Sequence, residues 1–407
     1  MKKCRNVIIL FLIFNLIFIN FCFADDIYIY DELESFDFSN VSNSSISEPT
    51  TLSKHIIVID RKTLSVLYEK AGYAKTPMAS TTKIMTCILA LENCSLNKKI
   101  TVSKKAASVN GSTLGLNANM EISINDLIYG LMLRSGNDCA IALAEEISGS
   151  VENFSNLMNK KAKELHLENT NFVTPHGLDD ENHFTTAYDL ALLTNYALKN
   201  DTFKQIVSTK NYTINFNNYP RTISNTNELL GNLDGVYGVK TGFTFNAGRC
   251  LVSSCKRNDL DIIVVVLGAD TKKIRTQDSY NLINYIFNNY KYVDISNTLN
   301  DSFKNYLTYY KDKIYLEKTT DFPIFKLEEL NNYSFPLKTN GEIKLSTKIF
   351  IINKFSPKIT KGTKVGSISL YNNDNLLCET SIILTNQLKI NSWKFYYKKI
   401  ITNLFYN

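Results

Sequence analysis

The sequence predicts a mixed α/β protein, a largely antiparallel sheet packed with helices, followed by a small β-rich C-terminal domain. Two patterns and the overall composition lead there. A short hairpin pattern gives way to five helical patterns, then to three successive strand patterns and a closing helix, an order that favours a mixed sheet over a doubly wound parallel one. Beyond about residue 314 the helical period vanishes and short β-prone runs alternate with turn residues. With 407 residues, 44% hydrophobic and 21% charged, the chain has an ordinary globular composition and room for one large and one smaller domain, which excludes wholly disordered and polytopic membrane classes.

Taken in order, Met1, Lys2, Lys3, Cys4 and Arg5 precede an apolar run from Val7 to Phe23, then Ala24 and Asp25. A basic head, an apolar middle and a small residue before an acidic stretch make residues 1–24 a secretory signal peptide cut after Ala24. The run borders on spanning length, so an uncleaved anchor is the other reading, and either places the remainder outside the cytoplasm. Residues 25–52 carry seven acids, many serines and no basic residue, the signature of a solvated linker.

A domain over residues 53–292 follows. His55 to Asp60 and Ser65 to Glu69 form the hairpin, and helices are expected at about 80–93, 124–135, 137–148, 151–167 and 187–199. Gly235 to Thr241, Arg249 to Lys256 and Leu260 to Leu267 read as strands, the last apolar enough to be buried on both faces, and a helix closes the unit at about 273–290. The β-rich domain, 293–387, holds runs at Lys348 to Asn353, Ser367 to Tyr371 and Thr380 to Leu384.

Loss of residues 1–24 removes Lys2, Lys3 and Arg5, so the formal charge falls from +6 to +3, a balance that points to no nucleic-acid partner. Cys87, Cys94, Cys139, Cys250, Cys255 and Cys378 match no zinc spacing, and a chain this long needs no disulfide framework. His55, His166, His176 and His183 form no H-E-x-x-H pair. Neither a metal nor a cofactor is expected.

Three motifs carry chemistry. Ser80-Thr81-Thr82-Lys83 opens a helical pattern, where residues three apart share a face, so the hydroxyl and the amine can meet; a serine is a weak nucleophile unless a base adjoins it. Two further S-x-x-K matches exist. Ser95 lies in a polar turn, and Ser253 in a strand where residues three apart point to opposite faces. Ser135-Gly136-Asn137 sits at the break between two helices, where a glycine turn can aim two polar side chains into a cleft, or simply cap both helices. Lys240-Thr241-Gly242 lies on a strand that can bind an anionic chain end while an extended substrate lies close; alone it also fits an edge strand with a guarding lysine.

Together these are the signature triplet of class A β-lactamases and penicillin-binding proteins. With glycine in the middle motif, and with Pro175-His176-Gly177-Leu178-Asp179, His183 to Ala191 and Asn225 to Leu230, the sequence resembles the low-molecular-mass serine D-alanyl-D-alanine carboxypeptidases over roughly residues 50–290. The resemblance implies a penicillin-binding or β-lactamase-like fold and removal of the terminal D-alanine from peptidoglycan stem peptides through an acyl-enzyme, with β-lactam antibiotics as covalent inhibitors. It makes Ser80 the nucleophile, Lys83 its base and Ser135 a proton relay. Asn137 holds the substrate amide, Lys240 and Thr241 the terminal carboxylate, Gly242 admits the substrate, and the Ser80 and Phe243 N–H groups form the oxyanion hole. Cross-link endopeptidase activity is the nearest alternative. A β-lactamase is disfavoured because no E-x-x-L-N loop occurs between Ser135 and Lys240, and an inactive wall-binding protein is disfavoured by the intact triplet.

In the tail, residues 388–407, Trp393, Tyr396, Tyr397, Ile400, Ile401, Leu404 and Phe405 make one apolar stripe on a helix, with Lys394, Lys398, Lys399 and Asn403 beside or opposite it. This predicts a helix lying on the membrane surface, or one docked on the protein's own β domain. The resemblance favours the membrane, since such carboxypeptidases commonly end in an amphipathic anchor, and places the protein at the outer face of the cytoplasmic membrane.

Overall fold

The computed structural model describes residues 36, 38, 47–216, 219–330, 332–340 and 343–405; the expected signal peptide lies outside them. The chain divides into two compact units, Met1–Asn288 and Asn289–Asn407.

In the first unit β1 (His55–Asp60) and β2 (Val66–Lys70) form a hairpin. A 3-10 turn, Ala79–Thr82, leads into α1 (Lys83–Asn93), so the first turn expected of the helix at residue 80 is 3-10 and not α. The cause is tertiary: Gly177 packs against this turn so closely that a Cβ there would stand 1.9 Å from the Ala79 carbonyl oxygen, and Ala79 is held at φ +46°. A small pair, β3 (Lys99–Thr101) and β4 (Glu121–Ser123), brackets α2 (Lys104–Ala107). Then come α3 (Ile124–Leu133), α4 (Asn137–Ser148), α5 (Val151–Glu164) and α6 (Ala187–Ala197). Ser123, Ser150 and Thr186 cap α3, α5 and α6 by accepting the N–H three residues on.

The sequence reading gave no account of α7 (Asp201–Ser208) or of the hairpin β5 (Asn211–Phe216) and β6 (Tyr219–Ser224). Three long strands follow, β7 (Val236–Thr244), β8 (Gly248–Arg257) and β9 (Leu260–Ala269), then α8 (Lys272–Asn289). The sheet runs β2-β1-β9-β8-β7, antiparallel throughout, with His55 opposite Leu267. Ile57, Ile59, Val252, Ile263, Val265 and Leu267 join the helices in one core, and the alternate residues Ile56, Val58, Val264 and Val266 are equally buried. Each such side chain contributes roughly 1.5–3 kcal/mol by leaving water.

The stretch 25–52 is not solvated throughout. Phe36 is buried with its ring 5.4 Å from that of Tyr280, and the Leu52 and Ser53 amides donate to Asp278. Phe36 and Phe38 both pack against Tyr280 on α8.

The second unit opens with β10 (Tyr290–Asp294), a few residues before the boundary expected at 293, because this strand pairs with β13 (Ser334–Lys338). It also contains a helix that the sequence reading did not include, α9 (Ser296–Tyr310), burying Leu299, Phe303 and Tyr310. Between them lie β11 (Tyr315–Leu316) and β12 (Phe325–Leu327). After β13 come β14 (Leu345–Ile351), β15 (Lys354–Phe355), β16 (Lys364–Asn372) and β17 (Asn375–Leu384). The main sheet has the order β12-β17-β16-β14, and β11 pairs with β15. The tail forms α10 (Trp393–Phe405).

Candidate active site

Ser80, Lys83, Ser135, Asn137, Lys240 and Thr241 come from three separate segments, and side-chain hydrogen bonds join the first five. Lys83 is fully buried at the start of α1, and its Nζ lies 2.6 Å from Ser80 Oγ, 2.7 Å from Asn137 Oδ1, 3.0 Å from the His176 carbonyl oxygen and 3.3 Å from Ser135 Oγ. From the sheet edge, Lys240 on β7 reaches the same Ser135 oxygen at 3.0 Å and the Thr241 carbonyl at 2.8 Å. Ser135 sits in the turn between α3 and α4 at φ +63°, a left-handed conformation that a non-glycine residue keeps only when packing enforces it. That turn aims its hydroxyl between the two amines.

The amine's donors decide its chemistry. A neutral lysine has two N–H groups and one lone pair. With the N–H groups given to Asn137 Oδ1 and the His176 carbonyl, the lone pair faces the Ser80 hydroxyl, the arrangement a general base requires.

Asn137 is itself fixed. Its Nδ2 donates to the Asn110 carbonyl and its backbone N–H to that of Ser112, both at 2.7 Å. The loop carrying those carbonyls is in turn gathered by one carboxylate, Asp138, only 1% exposed. Its Oδ1 accepts from the Leu114 N–H, and its Oδ2 from those of Gly115 and Leu116, all at 2.8–2.9 Å. Sequence reasoning missed Asp138, because an acid in the first turn of a helix reads as a complement to the helix dipole and the four N–H groups it accepts belong to the backbone.

Thr241 Oγ1 lies 2.6 Å from Thr226 Oγ1, and Asn227 Nδ2 donates to the Gly238 carbonyl, so the Asn225–Leu230 segment holds β7 in place. Gly242 passes so close to the turn carrying Ser80 that a Cβ would stand 2.9 Å from the Ser80 nitrogen. Phe243, next on β7, is partly buried, with the Arg249 guanidinium 3.9 Å from its ring centre. Ser95 and Ser253 lie elsewhere, the first in a loop after α1 and the second buried within β8.

His176 and His183 back the turn that carries Ser80. His183 Nδ1 accepts the Val173 N–H at 2.9 Å, which leaves Nε2–H to face Thr82 Oγ1 at 2.8 Å. Burial lowers the His183 pKa to about 4 and that of His176 to about 3. Both are therefore neutral in the folded protein at neutral pH. Among the described residues no cluster of acids, histidines or cysteines could hold a metal ion.

Comparison with known proteins gives a consistent picture. A D-alanyl-D-alanine carboxypeptidase family model matches residues 42–271, and a penicillin-binding protein 5 C-terminal domain model matches residues 303–389. The D-alanyl-D-alanine carboxypeptidase DacF of Bacillus subtilis is 33% identical over 368 residues, 86% of this chain and 90% of that protein. DacC of Escherichia coli is 38% identical over 259 residues, 60% of this chain and 64% of the relative. Among solved structures, the D-alanyl-D-alanine carboxypeptidase DacD from Francisella tularensis matches with a TM-score of 0.68 at 25% identity, covering 86% of this chain and 98% of that one.

Proposed function

The chain belongs to the D-alanyl-D-alanine carboxypeptidase family, and from that premise we propose how its residues divide the work. It is a penicillin-binding, serine-type carboxypeptidase that hydrolyses the terminal D-Ala-D-Ala bond of peptidoglycan stem peptides. The observation that carries the assignment of roles is the Lys83 amine, which meets Ser80, Ser135 and Asn137 at once.

The terminal carboxylate of the substrate docks against Lys240 and the Thr241 hydroxyl, which sets the peptide antiparallel to β7, and Asn137 steadies its amide. Ser80 Oγ attacks the carbonyl carbon of the penultimate D-alanine while its proton passes to Lys83 Nζ. The oxygen that becomes negative accepts the N–H groups of Ser80 and Phe243, dipoles fixed before the reaction begins. Lys83 then returns a proton through the Ser135 hydroxyl to the leaving nitrogen, the C–N bond breaks, and free D-alanine departs from an ester on Ser80. In the second half Lys83 takes a proton from water, whose oxygen attacks the ester carbonyl, and Ser80 Oγ leaves reprotonated. A β-lactam enters the same first half, but its amine stays tethered in the acyl group and the ester persists.

Replacement of Ser80 by alanine tests the assignment. Penicillin labelling and D-alanine release both vanish while the thermal transition stays near that of the parent; labelling that persists in the variant overturns it.

For the setting, the export reading follows from residues 1–24, and a peripheral membrane position is supported by α10. The Trp393, Tyr397, Ile400 and Leu404 side chains of that helix are exposed and not docked on the β domain. Among the described residues no helix is long and apolar enough to cross a membrane.

A further inference from the structure

The root of α10 is built into one end of the second unit. Lys389 N–H donates to Asp321, Asn391 N–H to the Lys318 carbonyl, Thr385 N–H to the Ile324 carbonyl, and Lys361 N–H to Gln387. Three segments therefore meet there: residues 315–324, the loop 353–364 and the exit 384–391. Their surface has an unusual make-up. Lys318, Lys354, Lys358, Lys361, Lys364 and Lys389 are all exposed, against two carboxylates, Glu317 and Asp321. Both carboxylates are already engaged, Glu317 with Lys354 at 3.1 Å and Asp321 with the Lys389 amide. On the same three segments Tyr315, Phe322, Ile324 and Ile390 are large apolar side chains left in solvent.

We propose that this end of the second unit is a preformed membrane-contact platform, in which the lysines bind the phosphates of an anionic lipid bilayer and Tyr315, Phe322, Ile324 and Ile390 enter the headgroup layer beside α10. The inference rests on the anchor reading above but adds a second site, already folded before contact. Two features select a bilayer as the occupant. Exposed cations and apolar groups are mixed on the same three joined segments, which fits the interface between headgroups and acyl chains. The platform is also continuous with the amphipathic helix, so both meet the same surface. A helix on a mobile stalk would tether the protein at any angle; a helix together with a platform fixes how the second unit stands on the membrane.

The test uses the exported chain from Asp25 on vesicles of phosphatidylcholine with and without phosphatidylglycerol. Trp393 is the only tryptophan and reports separately on entry of α10 into the lipid. A lysine beside an anionic leaflet strengthens binding by about fivefold, so the triple variant Lys358→Gln, Lys361→Gln, Lys364→Gln partitions about a hundredfold more weakly onto anionic vesicles and is unchanged on neutral ones. At saturating lipid it keeps the Trp393 blue shift. A helix variant, Tyr397→Glu with Ile400→Glu, loses the blue shift and retains salt-sensitive binding to anionic vesicles. Parental binding by the lysine variant, or complete loss of binding by the helix variant, overturns the platform. Parental binding and blue shift in the helix variant overturn the anchor reading alone. Competition by soluble polyglutamate as strong as that by anionic vesicles overturns lipid as the partner. Penicillin labelling verifies folding of the catalytic unit and circular dichroism that of the whole chain. Should the lysine variant not fold, Phe322→Ser with Ile324→Ser takes its place, with weaker binding in high salt expected and unchanged binding overturning the proposal.

Discussion

Replacing Asp138 by asparagine separates the geometry of the site from its chemistry, because Asp138 touches none of the reacting groups. Its Oδ2 accepts two loop N–H groups, Gly115 and Leu116, and its Oδ1 accepts Leu114 together with Cys139. An asparagine can place its oxygen at the Oδ2 position and keep two bonds, each weakened by about 1 kcal/mol without the charge. Its NH2 group then opposes the Leu114 N–H, and a buried donor without an acceptor costs about 1–3 kcal/mol. The sum, about 3–5 kcal/mol, lowers the transition of a domain of this size by roughly 6–20 °C. The same loss frees the loop whose carbonyls hold Asn137, and a displacement of about 1 Å there slows acylation by roughly a hundredfold. Stopped-flow acylation by a fluorescent penicillin and thermal unfolding measure the two effects. Asp278→Asn is the control: its Oδ2 accepts the Leu52 and Ser53 amides and the Ser53 hydroxyl, a comparable buried node that shares no partner with the site. It should lower the transition and leave acylation at the parental rate. Acylation unchanged in Asp138→Asn, or reduced equally in both variants, refutes the reasoning.

Lys83→Ala should lose acylation by roughly 10²–10⁴-fold with little change in substrate affinity, since Ser80 stays in place without its base; a parental acylation rate near neutral pH would assign the base to another group. The two buried histidines set an acid limit on stability. They are neutral when folded, with pKa values of about 3 and 4, but titrate near 6.5 once unfolded, so their full contribution is present above pH 6.5 and falls as the pH drops. At pH 5 the loss is about 2 kcal/mol per histidine, and urea unfolding of a His183→Gln variant should show roughly half the acid sensitivity of the parent; equal sensitivity excludes His183 as a source. A chain ending at Leu388 should remain soluble and active on a small D-Ala-D-Ala peptide while binding anionic vesicles less than the same chain with residues 389–407, and equal binding by the two forms removes the anchor.

Periodicity made much of this fold legible. The Ile262–Leu267 run announces a strand buried on both faces, and every residue from Ile262 to Leu267 is fully buried in β9. The hairpin Asn211–Ser224 was not legible, because its asparagines, threonines and tyrosines give little apolar contrast, and its place is set by distant partners: Tyr129 stacks on Tyr212 at 3.6 Å and Arg221 donates to the Leu114 carbonyl. In α9 the spacing of Leu299, Phe303 and Tyr310 is helical but diluted by polar residues. At the site, side-chain chemistry marks Ser80, Lys83, Ser135, Asn137 and Lys240. What a sequence does not display is the backbone half of the constellation, namely the His176 carbonyl on Lys83, the loop carbonyls on Asn137 and the amides gathered by Asp138. Peptide groups are the same at every position, and only the fold says which of them converge.

The pairing of β1 with β9 bears on how the enzyme is made. His55 faces Leu267 and Asp60 faces Ile262, so the second strand of the sheet in space waits for a partner about two hundred residues later in synthesis. Until that partner arrives, the β1–β2 hairpin has one edge unpaired, and an isolated two-stranded hairpin is marginal in water. Closing so long a loop is slow, since its entropy is lost before any pairing rewards it. The catalytic unit therefore cannot complete its sheet while its N-terminal half alone is available.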